Sequence, residues 1–176
     1  NFTTLMKYNG LFPENENQPF ELLNSAFMDS KIEITIKGNN YYEKPLHFIF
    51  IYDNKEELMI SPRIYLNISS NSSATILEEH IGESNSFLNY SKFINIHRNA
   101  HLNHTKIHSN SKNRISITNL NVHQDSNSNY RFTQFSNGNE LNRLNVKSHL
   151  KGQGSDCSLS GISLTKKGHH IDNNII

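Results

Sequence analysis

The feature that most constrains this chain is a repeat of about 27 residues. Four segments align when the sequence is compared with itself: SATILEEHI (73–81), NAHLNHTKI (99–107), SNYRFTQF (128–135) and SDCSLSGI (155–162). One column of this alignment contains Ile76, Leu102, Tyr130 and Cys157. A fixed period of this length is typical of a solenoid, in which each coil buries its apolar face against its neighbours.

The segments around the repeats alternate apolar and polar residues, as in FINIH (93–97), ISITNLNVH (115–123) and LNVKSHL (144–150). Such alternation indicates strands with one buried face. Small polar corners precede the repeats: SSNSS, HRNA, QDSNSN and KGQGS. We therefore predict a β-helix. A β-sandwich is the main alternative, but it would not require a fixed period.

A second column of the alignment lies five residues after the first and contains Ile81, Ile107, Phe135 and Ile162. Because successive side chains of a strand point to opposite faces, a separation of five cannot place both columns on one side of a flat strand. We therefore expect a bend or a bulge between the two columns in every repeat.

The beginning of the chain fits the period less well than the rest. The segment KIEITIKGNNYYEKPLHFIFIYD predicts two strands joined by a turn at Gly38-Asn39-Asn40. We expect residues 1–60 to form opening strands or a cap, and residues 61–176 to form the core coils.

Four histidines, His97, His101, His104 and His108, have spacings that would align them on one face of a helix. The surrounding residues are Asn, Ser, Ile and Thr, which are poor helix formers. In a strand the four side chains do not share a face. We predict a structural or solvent-facing role, and metal binding by a subset is the alternative.

Composition excludes several classes of protein. The formal net charge of +1 gives no basic field for binding nucleic acid. The apolar runs are too short to span a bilayer. The single cysteine, Cys157, excludes an internal disulfide and fits a reducing compartment. Chance Asn-x-Ser/Thr triplets at Asn67, Asn71 and Asn89, together with the coil period, leave one alternative, a secreted β-helix protein that binds or cleaves polysaccharide.

A few side chains carry possible chemistry. Cys157 could bind iron or sulfur, but its place in the first column favours a packed core thiol. His169, His170 and Asp172 form the best cluster of metal ligands, with a surface turn as the alternative interpretation. The triplet Glu78-Glu79-His80 lacks the second histidine of a metalloprotease, and we predict that it is structural. No phosphate-binding loop is present, so ATP would have to be handled by a partner.

Three segments of the chain, 61–84, 99–132 and 144–174, resemble the SufB/SufD family of iron–sulfur cluster assembly proteins. The most specific portions are ATILEEHIG (74–82), the spaced Leu, Gly and Cys residues that begin at Leu144, and GHHIDN (168–173). The resemblance extends from about Pro19 to Ile176. The HHIDNN segment makes the chain more similar to SufD than to SufB.

The resemblance implies an all-β fold, a right-handed parallel β-helix that is a single-stranded solenoid, with the family's flanking helical regions missing. It also implies a non-enzymatic scaffold subunit of a SufBCD complex, which supports cluster assembly and iron acquisition. The expected partners are a SufB-like subunit and a SufC-like ABC-type ATPase, whose docking region we expect to be absent here.

For this fragment we expect no stably bound cofactor, although the full complex could hold iron or an iron–sulfur cluster. We expect a cytoplasmic location, or a plastid-like organelle in a eukaryote, with neither nucleic acid nor membrane as a partner. Association through the C-terminal coils is predicted, and a homodimer is one form of it.

Overall fold

The computed structural model describes residues 19–53, 56–108, 111–137 and 139–176 and shows a β-solenoid. Its coils number about five, with about 28 residues per turn, and about 65% of the residues lie in strands. The predicted all-β solenoid is therefore confirmed, with a period slightly longer than the 27 residues expected from the sequence.

Parallel strands of two facing sheets make up the described part of the chain. A short helix, α1 (Pro19–Ala26), precedes them. Sheet A contains β1 (Ser30–Ile36), β3 (Met59–Ile60), β4 (Pro62–Ile68), β6 (Phe87–Ile96), β8 (Ser111–Gln124), β10 (Asn139–Leu150) and β12 (His170–Ile175). Sheet B contains β2 (Leu46–Ile51), β5 (Ser73–Ile81), β7 (His101–His108), β9 (Asn129–Asn137) and β11 (Asp156–Leu164).

Each coil contributes one stretch to sheet A and one strand to sheet B. The strands predicted on either side of Gly38-Asn39-Asn40 are present as β1 and β2, and they pair with β4 and β5. They form the first coil of the solenoid. The boundary at residue 60 between a cap and the core stays a prediction.

The first predicted column is correct for three of its four residues. Leu102 pairs with Tyr130, and Tyr130 pairs with Cys157. The assignment of Ile76 to this column was wrong, because the partner of Leu102 in β5 is Ala74. Matching large apolar residues to one another shifted this part of the alignment by two positions. Ile76 is nevertheless fully buried, since two residues along a strand restore the same face.

The predicted bend between the columns is absent from the described sheet B strands. Ile107, Phe135 and Ile162 are in register, but they lie on the outer face, where Phe135 is 37% and Ile162 is 62% exposed. Glu79, not Ile81, is the β5 residue in this row. The strands run straight, and the odd separation of five residues therefore places the two columns on opposite faces.

Asparagines form the corners that lead from sheet A to sheet B. Asn39, Asn71, Asn99 and Asn127 all have a φ between 54° and 58°. Among residues with a Cβ, Asn is one of the few that adopt this left-handed conformation readily. Asn71 donates a hydrogen bond from Nδ2 to Asn39 Oδ1 at 3.2 Å, and Asn99 donates to Asn71 Oδ1 at 2.9 Å. These are the polar corners seen in the sequence.

The interior between the sheets is apolar next to these corners, where aliphatic and aromatic side chains from successive coils pack together. Outside sheet A, α1 packs against β6 and β8. Asn24 of α1 donates from Nδ2 to the carbonyl oxygen of Asn89 at 2.7 Å. The side chain of Asn89 is buried beneath α1, which makes it inaccessible to a glycan. Among the described residues, no helix has both the length and the hydrophobicity that crossing a bilayer requires.

Candidate functional site

The half of the interior remote from the asparagine corners is polar and charged. Inward-facing positions change from apolar to charged along β5, as Ala74 and Ile76 give way to Glu78 and His80. The same change occurs in β7, where Leu102 is followed by charged or polar residues at every second position. We call the group of buried side chains in this half the lumen cluster: Tyr52, Glu78, His80, Tyr90, Lys92, His104, Lys106, His108 and Arg114.

Glu78 lies at the centre of the lumen cluster and is fully buried. Its Oε1 is 2.6 Å from Nε2 of His80 and 3.5 Å from Nζ of Lys106. Its Oε2 is 3.1 Å from Nε2 of His104 and accepts a hydrogen bond from Nζ of Lys92. Two cations and two imidazoles from three strands therefore surround one carboxylate.

The hydrogen bonds fix the tautomers of two histidines. His80 and His104 each donate from Nε2 to the Glu78 carboxylate, so their Nδ1 atoms accept. The hydroxyl of Tyr52 lies 2.9 Å from Nδ1 of His80, and that of Tyr130 lies 3.0 Å from Nδ1 of His104. Each imidazole therefore has a hydrogen-bond partner at both nitrogens.

Burial and charge determine the protonation states in the cluster. Burial alone would raise the pKa of Glu78, but Lys92, Lys106 and the two histidine hydrogen bonds lower it well below its usual value. Burial lowers the pKa of His80 and of His104 to about 4. Burial also lowers the pKa of Lys106 to about 8, against the opposing effect of Glu78. At neutral pH Glu78 is ionised and both histidines are uncharged.

Stacked rings extend the cluster along the solenoid axis. His80 stacks between Phe50 and His108, with ring centroids 4.7 and 5.4 Å away. Arg114 lies over the ring of Tyr52 at 4.8 Å and within 3.2 Å of Nε2 of His108. Burial lowers the pKa of His108 well below its usual value, so it accepts from Arg114 as a neutral ring.

The side chains at the centre of the lumen cluster bind to one another. Carboxylate and imidazole groups suit iron, but the oxygens of Glu78 are already bound by Lys92, His80 and His104. Within residues 19–53, 56–108, 111–137 and 139–176, no group of three or more His, Cys, Asp or Glu side chains is arranged to hold a metal ion. The lumen cluster is a buried ion-pair network that links adjacent coils.

The four metal candidates from the sequence lie in three different places. Cys157 points into the interior of the last coil, half-buried, where Ser148 Oγ lies 3.3 Å from its Sγ. Burial raises the pKa of this thiol. His170 and Asp172 lie on the outer face of β12, because their partners in β10 are the outward-facing Leu141 and Arg143. The structure does not bring Cys157 together with them.

Asp172 lies beside a cation, with its Oδ2 3.5 Å from Arg143 Nη1. His169 precedes β12 in a turn, where its backbone nitrogen donates to the carbonyl oxygen of Lys166. Metal binding by Cys157, His169, His170 or Asp172 stays a prediction.

The other histidines separate into two pairs. His104 and His108 are buried, whereas His97 and His101 lie outside the interior. The side chain of His97 is 45% exposed and contacts Asp125 at 3.0 Å. Strand β7 confirms that the four do not share a face and that no helix forms at 101–108. His104 and His108 both lie inward on β7, without the bend that was expected between Leu102 and Ile107.

No motif in the sequence marks the lumen cluster as a unit. Glu78 and His80 were assigned a structural role in a strand, and β5 confirms the strand. Their partners Lys92 and Lys106 carried no motif. The alternation of residues in β7 could have indicated their inward orientation. His104, Lys106 and His108 follow the buried Leu102 at every second position and therefore face inward.

Comparison with known protein families places this fold in a biological context. The family model described as "SUF system FeS cluster assembly, SufBD core domain" matches residues 50–176, which is more than half of the chain. No significant match was found among curated proteins or among solved structures. The family assigns the solenoid a role in iron–sulfur cluster assembly. The chain belongs to the SufBD core domain family of the SUF system.

Proposed function

We propose that this chain is the core of a SufD-like scaffold subunit that works in a SufBCD-type complex. The match of residues 50–176 to the SufBD core domain carries this proposal. The resemblance of the HHIDNN segment favours SufD over SufB. The scaffold would support cluster assembly and iron acquisition, with iron and sulfide as cargo.

The closed interior supports a scaffold without catalysis of its own. A catalytic acid or base must come within hydrogen-bond reach of a substrate. Glu78 and His80 are fully buried and saturated by neighbouring side chains. Their contacts join β5, β6 and β7 and therefore serve to hold coils together.

Membership of the SufBD family supports partners from the same assembly system. We propose a SufB-like subunit as the partner of this chain and a separate SufC-like ATPase subunit for ATP hydrolysis.

Co-expression of the full-length natural protein with SufB-like and SufC-like subunits under anaerobic conditions tests the proposal. We expect a stable complex of all three, in which iron and acid-labile sulfide accumulate. A SufC-like subunit with its phosphate-loop lysine replaced is the control, and it should abolish ATP hydrolysis. A full-length protein that hydrolyses ATP alone, or that purifies only as a homodimer in the presence of both partners, would contradict the proposal.

A further inference from the structure

A groove of about 540 Å³ lies on the outer face of sheet A, on the opposite side of the sheet from the lumen cluster. Pro19 and Phe20 of α1 line it on one side, and residues of β8, β10 and β12 line it on the other. We call it the outer groove. Its volume falls within the range of about 300–1,000 Å³ that is common for ligand sites.

The charged side chains that line the outer groove are all basic. Arg143, Lys147 and His149 line it from outward positions of β10, together with amide side chains of Asn119 and Asn145. None of the residues that line the groove is Asp or Glu. A concave surface with cations and no lining carboxylate attracts an anionic ligand.

Arg143 is held in place by a row of amides. Its Nε donates to Asn145 Oδ1 at 3.1 Å, and Asn145 in turn donates from Nδ2 to Asn119 Oδ1 at 2.9 Å. Asp172 already contacts Arg143 at 3.5 Å, so a carboxylate can reach this guanidinium. Both side chains of that pair are about 40% exposed, and exposed ion pairs contribute little. A carboxylate from another chain can therefore replace Asp172 at little cost.

The spacing of the cations distinguishes a peptide from a small anion. Arg143 and Lys147 are four residues apart on one strand, which corresponds to roughly 13 Å at about 3.3 Å per residue. A single phosphate is much shorter than this separation. An extended peptide presents alternate side chains on one face at roughly 7 Å intervals, and so it can place carboxylates along the whole row. We propose that the outer groove binds an extended acidic segment of a partner protein.

Fluorescence anisotropy with this chain and a short labelled peptide in which Glu alternates with Ser tests the proposal. We expect saturable binding that weakens as salt is added. The double variant Arg143→Gln, Lys147→Gln should weaken binding on the order of tenfold, since two exposed charge pairs with the peptide are lost. Arg143→Lys should lose only part of the affinity, because it retains the charge but not the forked donor.

A matched control removes the same charge elsewhere. The double variant Lys37→Gln, Lys44→Gln changes two exposed lysines outside the groove and should bind the peptide like the unaltered chain. Equal loss of affinity in both double variants would overturn the proposal, because net charge alone would then explain binding. Thermal unfolding of each variant shows whether the solenoid is intact.

Two further measurements separate other occupants. If inorganic phosphate displaces the peptide completely where the same ionic strength of sodium chloride does not, the groove is a small-anion site and the proposal fails. If replacing Glu14 and Glu16 of this chain by Gln raises the affinity tenfold, the acidic segment comes from the same chain rather than from a partner. If phosphate does not displace the peptide and the Glu14, Glu16 variant does not change the affinity, the results support an acidic segment of a partner protein.

Discussion

At the scale of single residues, Glu78 shows how a charge can be buried in a solenoid interior. Removing a carboxylate from water is costly, and two cations together with two imidazole donors compensate for that cost. Lys92 and Lys106 in turn depend on the charge of Glu78, because each ammonium group is almost completely buried. Removal of any one member therefore leaves the others without compensation.

Glu78→Gln is predicted to reduce the free energy of unfolding by about 3–5 kcal/mol, the usual cost of leaving a buried charge without its partner. Urea denaturation measures the change. The neighbouring residue Glu79 is the matched control, since it faces outward and its Oε2 lies 2.7 Å from Nε2 of His47 near the surface. Glu79→Gln should cost about 1 kcal/mol or less. Similar losses in the two variants would show that Glu78 is not compensated as described.

The same cluster predicts a pH dependence. Burial lowers the pKa of His80 and of His104 to about 4, from an ordinary value of 6.5. Between these values the unfolded chain binds more protons than the folded chain. The contribution of the two histidines to the free energy of unfolding is therefore fully present above pH 6.5 and is lost as the pH falls towards 4. The lowered pKa of Glu78 acts in the same direction at lower pH.

Urea midpoints measured from pH 7 to pH 4 should therefore decrease steadily. Replacing the exposed His97 by Gln should leave this decrease unchanged. A flat profile across that range would contradict the assignment of neutral, buried histidines.

At this scale the spacing of residues could be interpreted from the sequence, but their burial could not. The spacing showed that the four histidines of 97–108 cannot share a face in a strand. The sequence did not indicate that Glu78 is buried, because a charged residue is usually exposed. Only the partners supplied by β6 and β7, distant in sequence, make burial of this carboxylate favourable.

At the scale of the element, the left-handed asparagine corners are the sites where one residue type is required. Asn99→Ala should reduce the free energy of unfolding by about 1–2 kcal/mol, because Ala is strained at a φ of 57°. Asn99→Gly should cost less, since Gly adopts this conformation freely and loses only the hydrogen bond to Asn71. Chemical denaturation compares the two. Asn103→Ala, on the exposed face of β7, should be nearly neutral. An Ala variant as stable as the Gly variant would contradict the role of the left-handed corner.

The strands and the period could be predicted from the sequence, whereas the register of one strand could not. Leu102, Tyr130 and Cys157 are large enough to align by type, and their pairing is confirmed. Ala74 is small, so the alignment selected the larger Ile76 two residues later. The outward Ile107 and Phe135 were mistaken for core residues because apolar type alone does not indicate the face.

At the scale of the whole molecule, burial differs between the coils. Alternate residues of β7 are buried, whereas every residue of β11 is at least partly exposed. In a solenoid each coil is stabilised mainly by contacts with its neighbours, so a coil with few buried side chains opens more easily than a coil with many. We predict that amide hydrogens of β11 and β12 exchange faster than those of β7 in this chain, measured by mass spectrometry. Equal protection across all coils would contradict this gradient.

The central carboxylate also affects mispairing. In parallel strands a slip of two residues leaves every inward side chain inward, so apolar patterning alone resists such an error weakly. Glu78 lies directly beside Lys106. A two-residue slip of β5 against β7 would place Glu78 opposite a neutral histidine instead of an ammonium ion. The buried charges thus penalise a misalignment that an aliphatic interior would tolerate.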